Sequence, residues 1–223
     1  MSRLRQVGRS ETDDRFVHGM YDIAFGKGVD PAEGTSTGSK GDWWTTYALV
    51  PDVLEHAVAG FVLYRSPDRA LDGVLRELAQ ARVGWAVGSA FVYSQHVQAL
   101  RGLHADPAKI DAIPAWSASD AYSRLERAVL AYADAIALDH GRVSDELFAV
   151  LGEELSDEAL LELTYVTGMY LQHAVICRAL RLEWDDRPEP VVDMEPPEEF
   201  DAEHYMAVGS EADAKQKLRN ARR

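Results

Sequence analysis

Residues 76–96 read RELAQARVGWAVGSAFVYSQH. Leu71, Val74, Leu75, Leu78 and Val83 recur at helical spacing and predict a helix over 68–87, which Gly88 breaks. A second helix is expected from about Ser89 to Arg101. Glu77 stands three residues after Val74 and four before Ala81, at the edge of the first helix's apolar face. A carboxylate there either reaches out to solvent or is kept inward by a partner. His96 falls inside the second apolar helix, nineteen positions after Glu77.

The same periodicity extends in both directions. Upstream, Pro51 suits a first helical turn, and Val53, Leu54, Ala57, Val58, Phe61 and Val62 follow at helical spacing. Downstream, Asp106-Pro107 opens a short helix that ends near Pro114. Ser123-Arg124-Leu125-Glu126 has the form of a capping box ahead of Ala128, Val129, Tyr132, Ala133 and Ile136. Ser144 and Ser156, each followed by two acids, open two further helices, the last reaching about Leu182. No period-two run is long enough for a sheet, so the expected fold class is all-α.

The ends differ in character from this middle. Residues 29–40 form a Gly/Ser/Thr/Pro cluster that reads as loop, followed by Trp43 and Trp44. Those tryptophans either anchor the N-terminal stretch or wall a pocket or subunit contact. Residues 183–203 hold ten acids, one arginine and four prolines; Lys215, Lys217, Arg219, Arg222 and Arg223 follow. Such a tail is either a solvated end or an arm that wraps a neighbouring subunit. The expected organisation is an N-terminal arm (1–44), a helical domain (45–185) and an acidic-then-basic tail (186–223).

Composition narrows the function classes. At 223 residues, 47% apolar and 27% charged, the chain suits one domain with extensions. Its 23 basic against 37 acidic residues leave a net charge of −14, so neither a nucleic-acid nor a membrane partner is expected. No stretch approaches eighteen uninterrupted apolar residues and the first residues lack a signal-peptide core, so a cytoplasmic protein is expected. The single cysteine, Cys177, rules out an internal disulfide or a dithiol pair within this sequence. Gly34, Gly38 and Gly41 make no phosphate loop, and no Gly-x-Ser-x-Gly elbow occurs.

Of seven histidines, His96 and His173 lie inside apolar helices. Tyr170 and His173 share a helix face at i and i+3, beside Gly168. Two histidines and a carboxylate have the composition of a metal site, but no tight ligand spacing accompanies them, and no metal or cofactor is expected.

The Glu77–His96 spacing resembles the carboxymuconolactone decarboxylase and alkylhydroperoxidase D-like superfamily, in which a glutamate on one helix faces a histidine nineteen positions later on the next. Residues 107–112, 123–128, 143–148 and 155–158 resemble the family's later helices, so the likeness covers about 45–185. It implies an alkylhydroperoxidase D-like helical domain with N- and C-terminal extensions, assembled as a homo-oligomer, trimeric or hexameric. The family's peroxidase branch carries a Cys-x-x-Cys pair where this chain has Ser89 and Val92, so a thiol peroxidase is not implied. The decarboxylase branch typically has a glutamate where Val92 stands.

What survives from both branches is His96 as general acid or base and Glu77 as its orienting partner. The implied activity is a cofactor-independent lyase, decarboxylase or isomerase acting on a small oxygenated acid, lactone or carbonyl compound. Ser89, Gln95, Tyr170 and His173 are the candidate substrate-binding residues, Tyr170 or His173 as hydrogen-bond donor to an oxyanion. A cysteine-less relative that only binds a ligand or serves as an oligomeric partner is the alternative. A His/Glu metal-dependent enzyme is a third.

Overall fold

The computed structural model describes residues 2–186, 191 and 193–198. The basic block from Lys215 to Arg223, His204 and part of the acidic segment lie outside the described residues. Among the described residues the regular structure is entirely helical, as the periodicity predicts. Nine α-helices are described: α1 (Arg15–Ala24), α2 (Asp42–Tyr47), α3 (Pro51–Tyr64), α4 (Gly73–Ala86), α5 (Ala90–Gly102), α6 (Pro107–Ala112), α7 (Arg124–Leu138), α8 (Asp145–Gly152) and α9 (Asp157–Leu180).

Local chemistry sets most boundaries. The helix expected from Asp68 begins later, at Gly73, because the Asp72 side chain accepts from the amides of Val74 and Leu75 and fixes the start there. Ser89 lies just outside α5 as its N-cap, accepting from the Val92 amide. The capping box before α7 forms as expected: Ser123 Oγ accepts from Glu126 N at 3.2 Å, and Glu126 Oε2 accepts from Ser123 N at 2.8 Å. The last helix stops at Leu180, two residues short of the expected Leu182, because Arg181 turns into the left-handed region at φ 56°.

The α4–α5 hairpin forms the centre, with α4 also packed on α7 and α9. Gly88 makes the turn between the two helices at φ +70°. Gly84 allows the close approach: a Cβ there would lie 2.5 Å from Tyr93 N and 2.9 Å from Tyr93 Cα. The larger core cluster joins α3, α7 and α9 to one face of the hairpin, and a smaller one around Leu78, Tyr93, Val97, Ile110 and Leu130 fills the other.

The N-terminal segment, expected as an arm, is built into this domain. Phe16, Val17, Met20 and Tyr21 of α1 enter the larger core, and the Tyr21 hydroxyl donates to Val7 O at 2.6 Å. Arg3 reaches the open carbonyls at the end of α9, its amide donating to Leu180 O at 2.9 Å. A short apolar stripe isolated by a glycine-rich loop signals a helix weakly, whereas its burial depends on the rest of the chain.

The segment after α9 folds back as a strap. Both carboxylate oxygens of Glu183 accept amides, from Gly41 and Trp43, each at 3.1 Å. The Glu183 amide in turn donates to Asp42 Oδ1 at 2.5 Å. Burial, then the Asp42 carboxylate, push the Glu183 carboxyl up to about 8. Asp185 accepts from Ser89 Oγ at 2.6 Å and from Phe91 N at 3.3 Å. The strap therefore pins Trp43 on one side and the start of α5 on the other.

Gly84→Ala should destabilise the domain by about 2–3 kcal/mol, the clash with the α5 backbone outweighing the roughly 1 kcal/mol that alanine gains in helix propensity. A urea titration checks this: the midpoint should fall with the slope unchanged.

Candidate proton-transfer site

Glu77 and His96 meet where α4 and α5 run side by side. Glu77 Oε2 lies 2.6 Å from His96 Nδ1, and each side chain is 1% exposed. The other carboxylate oxygen, Oε1, accepts from Arg76 Nε at 3.0 Å, with Arg65 Nη1 at 3.9 Å. Both guanidiniums lie over the Tyr64 ring, Arg65 at 5.8 Å and Arg76 at 5.5 Å from its centroid. The Tyr64 hydroxyl is 2.7 Å from that of Tyr170, whose ring meets His96 edge-on at 4.2 Å. Glu77, Arg76, Tyr64, Tyr170 and His96 thus close a ring of contacts drawn from α3, α4, α5 and α9.

The charge state follows from this enclosure. Burial alone would raise the Glu77 carboxyl, but His96, Arg76 and Arg65 outweigh it and hold it at about 2. Burial pulls His96 below its ordinary value; Glu77 opposes that shift without cancelling it, and the two arginines reinforce it. Near neutrality the pair is therefore a carboxylate and a neutral imidazole. A carboxylate only accepts, so the imidazole proton sits on Nδ1 and the lone pair on Nε2. That Nε2 atom is buried and has no hydrogen-bond partner among the described residues.

His173 belongs to the same cluster. Its ring stacks on Tyr170 at 5.5 Å and on Trp43 at 5.5 Å, with Phe61 and Phe91 at 5.6 and 6.1 Å. Burial, then the neighbouring His96, keep it well below its ordinary value and uncharged at neutral pH. Trp43 thus both anchors the N-terminal segment and forms part of the wall around the two histidines.

Four of the six residues singled out from the sequence come together: Glu77, His96, Tyr170 and His173. Ser89 is placed elsewhere, its hydroxyl capping α5 and donating to Asp185. Gln95 is buried on α5, turned about 100° from His96 around the helix. Arg65, Arg76 and Tyr64 escaped the sequence reading. Arg76 is next to Glu77, but neighbouring side chains on a helix diverge, and only its long guanidinium stem brings Nε back to the carboxylate. Arg65 closes α3, twelve residues away, with no signal in the chain.

Ser89 and Val92, the positions at which the resemblance places the cysteines of the peroxidase branch, are an N-cap serine and a buried valine. Cys177 is buried on α9, and burial raises its thiol well above its ordinary value, which leaves it a poor nucleophile. Among the described residues no group of three or more His, Cys, Asp or Glu side chains is arranged to hold a metal ion. No helix among them is long and apolar enough to cross a membrane.

With this geometry in view, residues 51–135 match the model of the carboxymuconolactone decarboxylase family, a span that contains both Glu77 and His96. The helical fold is shared with a protein of unknown function from Agrobacterium tumefaciens, suggested to be an antioxidant-defence AhpD protein (24% identity, 60% of this chain and 92% of that one, TM-score 0.57). A cysteine-to-alanine variant of the debrominase Bmp8 with 2,3,4-tribromopyrrole has 19% identity over 82% of this chain and 92% of its own, with a TM-score of 0.62. A peroxidase-related protein with an alkylhydroperoxidase AhpD core from Ralstonia eutropha shows 18% identity over 75% and 82%, TM-score 0.56. No curated protein matches the chain. Residues 51–135 are thus similar to the carboxymuconolactone decarboxylase family, and the helical fold resembles that of the alkylhydroperoxidase D-like structures.

Because both groups titrate below their ordinary values of 4.5 and 6.5, the unfolded chain binds more protons than the native state in acid. The contribution of these groups to stability should be complete above pH 6.5, fall first as the buried histidines are forced to charge, and fall further below pH 4.5 as Glu77 protonates. The raised carboxyl of Glu183 acts in the opposite sense, between pH 4.5 and about 8. Urea midpoints measured across this range check the sign. His96→Gln should weaken the part of the decline that begins near pH 6.5.

Proposed function

We propose that the domain is a cofactor-independent acid/base enzyme acting on a small oxygenated acid, lactone or carbonyl compound, as a lyase, decarboxylase or isomerase. The observation that carries this reading is the buried, unpartnered Nε2 lone pair of a neutral His96 whose tautomer is set by an ionised Glu77. Such an atom takes a proton from the carbon beside a carbonyl. The C–H electron pair moves into the new C=C bond and the carbonyl π pair onto oxygen, giving an enolate. The imidazolium that forms is stabilised by Glu77 and can return its proton to another atom of the same substrate. The paired hydroxyls of Tyr64 and Tyr170, the latter on a ring against His96, are neutral donors suited to the enolate oxygen.

One observation favours a second reading. The pair is almost wholly enclosed, as a purely structural hydrogen bond in a non-catalytic, ligand-binding relative would be. The debrominase complex with a halogenated pyrrole shows that a protein of this fold holds a small flat ring.

A homo-oligomer, trimeric or hexameric, and a cytoplasmic location complete the proposal. Support for assembly comes from uncharged side chains exposed on two helices, Val53 of α3 and Val175 of α9, each about half exposed.

Deuterium incorporation from solvent into a panel of keto acids and unsaturated lactones tests the chemistry. Wild type should exchange; His96→Ala should lose all exchange above background, and Glu77→Gln about a hundredfold or more of the rate, measured where circular dichroism shows each variant, though less stable, still folded. An active His96→Ala variant would remove His96 from the mechanism. The wild-type rate should already have levelled off at pH 7, since His96 has lost its excess proton below its ordinary value. Light scattering reports assembly, and Val175→Lys should shift the oligomer towards smaller species.

A further inference from the structure

A pocket of about 260 Å³ opens beside the ring of contacts around Glu77, between the end of α3, the α3–α4 connection and the first half of α9. Leu63, Leu71, Leu161, Tyr165 and Val166 supply an almost wholly apolar lining. Two cations, Arg69 and Arg76, and one acid, Glu162, break it. At the small end of ligand pockets, which run from about 300 to 1,000 Å³, this space takes one ring or a short branched chain.

Arg69 carries the chemical signal. Its Nη1 is held by Glu162 at 3.4 Å, and the second Glu162 oxygen accepts from Leu71 N at 2.8 Å. The salt bridge therefore fixes one arm of the guanidinium fork. The Nε donor of Arg69 is buried and has no hydrogen-bond partner among the described residues. The Arg69 side chain, 27% exposed, lines the recess, where a cation on an apolar wall favours an anionic ligand. The matching acceptor is a carboxylate, which a guanidinium edge receives in plane.

We propose that this pocket binds a small monocarboxylate with an apolar body. Its carboxylate meets Arg69, and its ring or branched chain lies among Leu63, Leu71, Leu161 and Val166. The site is distinct from the proton-transfer centre, because neither Glu77 nor His96 lines it. It adjoins that centre through Arg76, which lines the pocket while its Nε donates to Glu77. The assignment does not depend on His96 being catalytic.

Calorimetric titration of the full chain with benzoate and with cyclohexanecarboxylate tests it, with benzamide as the neutral isostere and inorganic phosphate as a bare anion. At least one carboxylate should bind saturably in the millimolar range or tighter, benzamide at least tenfold more weakly, and phosphate should not compete. Arg69→Met should weaken the carboxylate about ten- to a hundredfold, and Arg69→Lys should recover part of the loss. Leu71→Phe, which fills the recess without touching a charge, should weaken carboxylate and amide alike. His96→Ala should bind benzoate as wild type does, which separates this site from the proposed reaction. Equal binding of benzoate and benzamide, competition by phosphate, undiminished affinity in Arg69→Met, or no saturation by either carboxylate would each overturn the proposal. If Arg69→Met does not fold, the comparison of acid, amide and phosphate on wild type still decides.

Discussion

A carboxylate taken out of water must be matched by charge and hydrogen bonds, or it takes up a proton and ceases to be a carboxylate. Glu77 is buried at the middle of the α4–α5 hairpin, and much of the domain supplies that match. α5 contributes His96, α4 itself Arg76, and the end of α3 Arg65. Remove one, and the burden falls on the others in a place where water does not compensate. Breaking such an assembly by taking away one partner costs far more than the net worth of any single contact. The same enclosure that makes the group expensive to bury makes its hydrogen bond to His96 strong and its geometry definite.

That requirement explains features remote from the pair. Gly84 lets α4 approach α5 closely enough for the carboxylate to reach the imidazole. Tyr64 accepts both guanidiniums on its ring and ties α3 to α9 through Tyr170. The strap at 183–186 secures the periphery: Glu183 holds the start of α2, and with it Trp43, against His173, while Asp185 holds Ser89 and the first turn of α5. Acidic side chains thus do structural work at the rim, leaving an aromatic wall of Trp43, Phe61, Phe91 and Tyr170 around the two neutral histidines.

Where the resemblance places the cysteines of thiol-dependent proteins of this fold, this chain has Ser89 and Val92, while Glu77 and His96 are present as a buried pair. Ser89 has been drawn into capping and into a bond with Asp185, and Val92 into the core. Neither position is left as a gap. Under the proposed reading, the chemistry of this site is the movement of protons at Nε2 of His96.

The all-helical class, the capping box at Ser123 and the pairing of Glu77 with His96 were legible in the chain, because each depends on residues near in sequence or on a fixed spacing between two adjacent helices. Tyr170 and His173 were legible as a shared helix face but not as neighbours of His96, since the crossing of α9 over the hairpin is not written in any local pattern. Arg65, Arg76 and Tyr64 became visible only in three dimensions. Ser89 reads equally well in sequence as a helix cap and as a ligand donor; the strap carrying Asp185 to it decided the matter. The burial of α1 belongs to the same category. Local sequence sets which face of a helix is apolar, but which partner covers that face, and which charges must gather to neutralise a buried acid, is settled by packing the whole chain at once.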